Sequence, residues 1–185
     1  MAGRGTRSAR AAQRDNEKNW QGDYFMGLFQ WIYDSGFGQY MRESLWGYPI
    51  ALTVHSIGMG LLVGVLVVVD LRILGLFRSR MPFQVIKPII AVAIFGFIIN
   101  LISGCFLFVS DAVNYVHNAP FLIKIAGVVA GMVVLGLMVK TPEFKRIQTV
   151  QAGAVGGVNL RTLAWASLFI WATSITAGRL IGYTI

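Results

Sequence analysis

Acidic residues are scarce in this chain, eight Asp and Glu among 185 residues, and none of them forms a spaced pair inside an apolar run. That leaves its hydrophobic blocks without the paired carboxylates of acid–base hydrolysis. Histidine occurs twice and cysteine once, as Cys105, which excludes an internal disulfide, a CxxCH haem attachment and a Cys-rich zinc site. No Walker sequence and no GxSxG are present, which argues against nucleotide-hydrolysing and nucleophile-elbow enzymes. Internal repeats and interrupted spans, the marks of a secondary transporter, are also missing.

What the chain has instead is apolar residue, 56% of the total against 13% charged. It is gathered into long blocks, as in a membrane protein. A bilayer core of about 30 Å takes roughly 20 helical residues to cross. Four blocks are long enough, at about 48–74, 88–110, 120–139 and 163–184. Pro49, Pro88 and Pro120 each fall where a first helical turn is expected, the position that tolerates a missing N–H. The fold class is therefore an all-α integral membrane protein, with four transmembrane helices in a bundle over residues 47–185.

Two segments precede the bundle. Residues 20–46, "WQGDYFMGLFQWIYDSGFGQYMRESLW", are too polar to cross. They carry Trp20, Tyr24, Phe25, Leu28, Phe29, Trp31 and Ile32 at spacings of three and four, the pattern of an amphipathic helix lying in the headgroup plane. A docking surface for another subunit has the same pattern. Residues 1–19, "MAGRGTRSARAAQRDNEKN", are basic and lack the apolar core of a signal peptide. Such a tail is expected to be disordered unless a partner orders it.

The net charge of +8 does not point to nucleic acid, because the basic residues sit in the tail and in the short loops. Arg72, Arg78, Arg80 and Lys87 follow the first block, and Lys140, Lys145, Arg146 and Arg161 follow the third. The second connection, "SDAVNYVHNAP", has neither Lys nor Arg. Basic loops mark the cytoplasmic side. Both termini are then periplasmic and the protein sits in a bacterial inner membrane.

In that topology the chemistry-bearing residues collect in the outer half of the bilayer. His55 lies seven residues into the first span, about 10 Å below the outer surface at 1.5 Å per residue. Lys124 opens the third span, Arg179 and Tyr183 end the fourth, Cys105 is in the outer half of the second, and His117 is in the outer loop. Small residues mark close helix contacts, and they read Gly60 and Gly64, then Gly96, Asn100 and Gly104, then Gly127 and Gly131, then Ser174, Gly178 and Gly182. Lys124 shares a face with Gly127 and Gly131. An ionisable side chain at mid-membrane costs about 2.5–3.5 kcal/mol, which makes a functional role the default. Asp70 and Arg72 read as a structural pair at the inner interface, and Asn100 as a bridge between helices.

Neutral imidazole is a common metal ligand and a usual axial ligand of haem iron, and helical bundles build such sites from inward-facing side chains. Haem b would take His55 as ligand, with His117 as the second histidine available. Lys124, Arg179 and Tyr183 would meet its propionates, and Phe95, Phe106, Phe108 and Phe121 would wall the ring. Copper would take His55, Met59, Cys105 and His117, a set suited to Cu(I). A third reading is a non-catalytic subunit anchoring a larger membrane complex. No residue is assigned as catalytic, and enzyme status stays open.

The runs "ESLWGYPIALTVHSIGMGLLVGVLVVVDLRILG", "SGCFLFVSDAVNYVHNAPFLIKIAG" and "AGRLIGYT" resemble a family of uncharacterised bacterial four-helix inner-membrane proteins, a domain of unknown function. More distantly, a first-span histidine, an outer-loop tyrosine and a lysine opening the third span are similar to the HemJ-type protoporphyrinogen oxidases and the CopD copper-handling membrane proteins. The HemJ resemblance implies His55 and Lys124 as a functional pair with bound haem b. Electron exchange with the quinone pool, or oxidation of a porphyrin-like substrate, would be the activity.

Overall fold

The structure, a computed structural model, describes residues 26–76, 82, 85–147 and 156–184. The basic tail, Trp20, Tyr24, Phe25, Arg78 and Arg80 lie outside the described residues. Among the described residues there is helix and no strand. In chain order the helices are α1 (26–33), α2 (Gly36–Glu43), α3 (Gly47–Ile73), α4 (Ile86–Ser110), α5 (Ala112–Tyr115), α6 (Ala119–Lys140), α7 (Pro142–Ile147) and α8 (Val158–Thr184).

Local chemistry sets several of these boundaries. The segment expected to be one interfacial helix is broken after α1, because Ser35 caps α2 by accepting a hydrogen bond from the Gly38 N–H at 3.1 Å. Its hydroxyl also donates to the Ile32 carbonyl. Ser35→Ala is expected to cost about 1 kcal/mol locally, read as several-fold faster hydrogen exchange at the α2 amides. Gly75, with φ 105°, ends α3: its N–H donates to the Arg72 carbonyl and that of Leu76 to the Leu71 carbonyl. This is the paired bonding of a Schellman motif, which needs a left-handed residue at that position. Asn118 caps α6 through the Phe121 N–H, with Pro120 in the first turn.

Three helices, Gly47–Ile73, Pro88–Ser110 within α4, and Ala119–Lys140, are long and apolar enough to cross a membrane. The chain is a multi-pass membrane protein. α8 is as long as α3 at 27 residues, but Arg161, Ser167, Thr173, Ser174, Thr176 and Arg179 make it less apolar. It packs antiparallel along α6, with Gly127 against Ser174 and Gly131 against the Trp171 ring. At the start of α6 and the end of α8 the Asn118 amide donates to the Thr184 hydroxyl at 2.8 Å.

The α3–α4 hairpin is held by a closer approach. A Cβ on Gly58 would stand 2.7 Å from the Asn100 nitrogen, and one on Gly96 would stand 2.7 Å from the Leu62 nitrogen. The expected contact face at Gly60 and Gly64 is corrected here: a Cβ on either would meet nothing within 4 Å. Gly182 likewise faces open space. The buried face of α3 runs instead through Ala51, His55, Gly58, Leu62 and Leu66.

The two hairpins join through α3 and α8 at the opposite end of the bundle. Val69, Ile73, Ile86, Met138, Phe144, Leu160 and Ala164 form one buried cluster there, and the Gly156 N–H donates to the Ile73 carbonyl. Asp70 accepts a hydrogen bond from Ser167 of α8. With Asp70 2% and Arg72 0% exposed, both are packed into this end of the bundle. The Glu143 carboxylate lies at Gly157, against the N-terminus of α8, where the helix dipole favours a negative charge.

Candidate functional site

Toward the end that carries Asn118 and Thr184 the hairpins part, leaving a cavity of about 1200 Å³. Typical ligand pockets run to roughly 300–1,000 Å³. His55, 7% exposed, lies on its wall. The Nδ1–H of His55 donates to the Asn100 carbonyl at 3.0 Å, with the Ser103 hydroxyl at 3.2 Å. Its Nε2 faces two donors, Lys124 Nζ at 3.2 Å and the Asn100 amide nitrogen at 3.4 Å. These partners assign the neutral tautomer with the proton on Nδ1. The Asn100 amide also donates to the His55 backbone carbonyl at 3.0 Å. Asn100 thus bridges α3 and α4 and fixes the ring at once.

Two glycines make this geometry possible. A Cβ on Gly104 would stand 3.1 Å from His55 Cε1, and one on Gly178 would stand 3.3 Å from Lys124 Cδ. The first leaves room for the imidazole and the second for the lysine stem. Lys124 is further anchored by its backbone carbonyl, which accepts from the Ser174 hydroxyl at 3.1 Å.

The walls are apolar and aromatic. Phe97, Phe108, Phe121 and Tyr115 line the cavity, and the Phe108 and Phe121 rings stack with centroids 5.7 Å apart. Phe95 and Phe106, expected as walls, do not line it; they are 59% and 42% exposed. Helical phase explains the exchange, since Phe97 shares the inward face of Ala93 and Asn100. Tyr115 packs on Phe121 at 5.1 Å. Burial, with a hydrogen bond to Tyr48, pushes the Tyr115 phenol up from its ordinary value, so it stays protonated.

The structure brings together His55, Lys124 and Arg179, all three lining the cavity. It does not bring in His117, which is exposed and accepts or donates only within its own turn, Nδ1 lying 3.1 Å from the Val113 carbonyl. Tyr183, 87% exposed, also stands outside. Met59 packs against the core cluster around Leu66 and Trp171 and is not a cavity residue, whereas Cys105 is. Among the described residues no group of three or more His, Cys, Asp or Glu could hold a metal ion.

Sequence reasoning missed Arg42. From α2 it reaches the outer rim of the cavity, its guanidinium 3.8 Å above the Tyr33 ring and its Nη1 donating to the Tyr33 carbonyl at 2.8 Å. No spacing signals its place at the cavity, because that depends on how α2 docks on α4, where Nη1 also donates to the Ser110 carbonyl at 3.3 Å.

Residues 28–184 match the profile of a family of unknown function, DUF6644. The chain belongs to that family. The match makes no link to HemJ-type oxidases or CopD proteins. No curated protein and no solved structure matches the chain. Within this DUF6644 chain, the matched region contains every residue of the cavity. Chemically the site offers one neutral imidazole, one ammonium, two guanidinium groups and the Asp111 carboxylate around an apolar, aromatic space, a net positive combination suited to a flat amphiphile bearing carboxylates.

Proposed function

We propose that this protein binds haem b in the cavity between its two hairpins, for electron transfer or another haem-dependent redox role. The observation that carries the reading is the orientation of His55. Its Nδ1–H is tied to a backbone carbonyl, the arrangement that fixes a ligating histidine and raises its basicity, while Nε2 meets Lys124, itself a cavity residue, and the Asn100 amide. His55 would ligate the iron through Nε2, releasing Lys124 to pair with a propionate beside Arg179.

The donor set favours haem over copper. A porphyrin brings its own equatorial nitrogens and asks the protein for one or two axial ligands, and this cavity has one histidine. When bound, the haem supplies a one-electron redox centre. The residues of the chain hold it, exclude water from it through the aromatic walls, and neutralise its carboxylates.

The same reading makes α8 a fourth span, since at 27 residues it reaches about 40 Å and carries exposed Trp165 and Phe169. Lys140, Lys145, Arg146 and Arg161 gather at the end opposite the cavity, which supports a periplasmic site and periplasmic termini in a bacterial inner membrane. Trp31, Leu45 and Trp46, 72%, 81% and 68% exposed, suit the headgroup layer and equally the surface of a larger complex. Protein purified from haem-replete membranes is expected to contain stoichiometric haem b by pyridine haemochromogen assay. Haem-free protein that stays monodisperse would defeat the reading.

A further inference from the structure

The cavity has a second feature, the side on which it is open. α3 packs along α4, α6 along α8, and α3 meets α8, but the backbones of α4 and α6 come close at no more than isolated points, their side chains meeting in the two buried clusters. The gap between them is closed above by the Phe108–Phe121 stack, with an interplanar angle of 19°. Below, Phe97 and Val128 close it by packing onto one buried cluster. Leu101, Cys105 and Ile125 remain between these limits. They line the cavity and are exposed. At about 100° per residue Leu101 and Cys105 stand about 100° and 140° round α4 from the buried Asn100, so the face they hold turns from the cavity toward lipid.

We propose that this window between α4 and α6 is a lateral portal through which a lipid-soluble quinone or quinol reaches the cavity. The window stands on the packing; the choice of a redox carrier rests on the haem reading. Leu101, Cys105 and Ile125 put no charged group on the rim, while Lys124, next in sequence to Ile125, is turned inward to His55. A rim of that kind admits a neutral molecule dissolved in lipid and disfavours a charged one, whose desolvation nothing there offsets. A quinone ring would lie against Phe108 and Phe121, with its tail left among the lipid chains.

Cys105 is the sole cysteine and sits in the window, so the native chain carries its own reporter. The full chain in lipid nanodiscs is alkylated with N-ethylmaleimide, with and without decylubiquinone, and Cys105 labelling is followed by mass spectrometry. At about ten times its Kd the quinone leaves roughly a tenth of the thiol open, so labelling is expected to slow about 10-fold. Decanol at the same concentration should not slow it. Leu101→Trp, which fills the window one turn from Cys105 on an exposed position, should abolish the protection, and Ile102→Trp, outside the cavity, should keep it. No protection, equal protection by decanol, or protection that survives Leu101→Trp would overturn the proposal. The Soret region of the same samples is read independently. Protection without a Soret band removes the haem reading and keeps the quinone site; a Soret band without protection removes the quinone site alone.

Discussion

His55→Ala is expected to yield folded protein without haem. The substitution removes the cavity's single imidazole, and losing even a partner in the shell beyond a ligand costs roughly 10–100-fold in affinity; losing the ligand itself costs more. The fold should survive. Asn100 keeps its hydrogen bond to the backbone carbonyl of residue 55, and the Gly58 and Gly96 contacts that join α3 to α4 are untouched. Size exclusion in detergent should therefore superimpose on wild type while the haem content falls to background. A variant that aggregates would report a structural histidine instead.

The reverse outcome is expected for Gly96→Leu. At Gly96 a Cβ alone would sit 2.7 Å from the Leu62 nitrogen and 2.9 Å from the Gly58 carbonyl oxygen. Both are backbone atoms, which cannot rotate out of the way as a side chain would. Overpacking commonly costs about 1–3 kcal/mol where side chains can adjust, and here the helices themselves must separate. Separation would also pull Asn100 from His55. Gly96→Leu is expected to give no monodisperse protein, and Gly60→Leu, with nothing within 4 Å of its Cβ, to behave as wild type. Equal behaviour of the two would contradict the close α3–α4 contact.

The helix count and register owe most to composition. Blocks read at 48–74, 88–110 and 120–139 correspond to α3, α4 and α6 because apolar length alone defines such helices, with Pro49, Pro88 and Pro120 near their starts. α8 begins earlier than the block at 163–184, at Val158, since its first turns are too polar to read as a span. Helix faces were harder to read. A helix apolar on all sides gives no phase, so the Gly60–Gly64 pair suggested a contact that Gly58 makes instead. Where an ionisable residue supplied the phase, the reading succeeded: Lys124 was expected to face the bundle with Gly127 and Gly131, and it does. The meeting of His55 and Lys124, and the reach of Arg42 to the Ser110 carbonyl, depend on packing between elements distant in sequence. His117 stays outside because its loop forms the α5 turn, whose Val113 carbonyl holds its ring.

The central claim is that His55 holds haem b in this cavity. It is tested most directly by the visible spectrum, oxidised and dithionite-reduced, of wild type beside His55→Gly with and without added imidazole. The account predicts a Soret band with sharp reduced bands in wild type, their loss in His55→Gly, and their return when imidazole fills the vacated space. A wild-type protein without a Soret band, or a His55→Gly variant that keeps it unaided, would contradict the account.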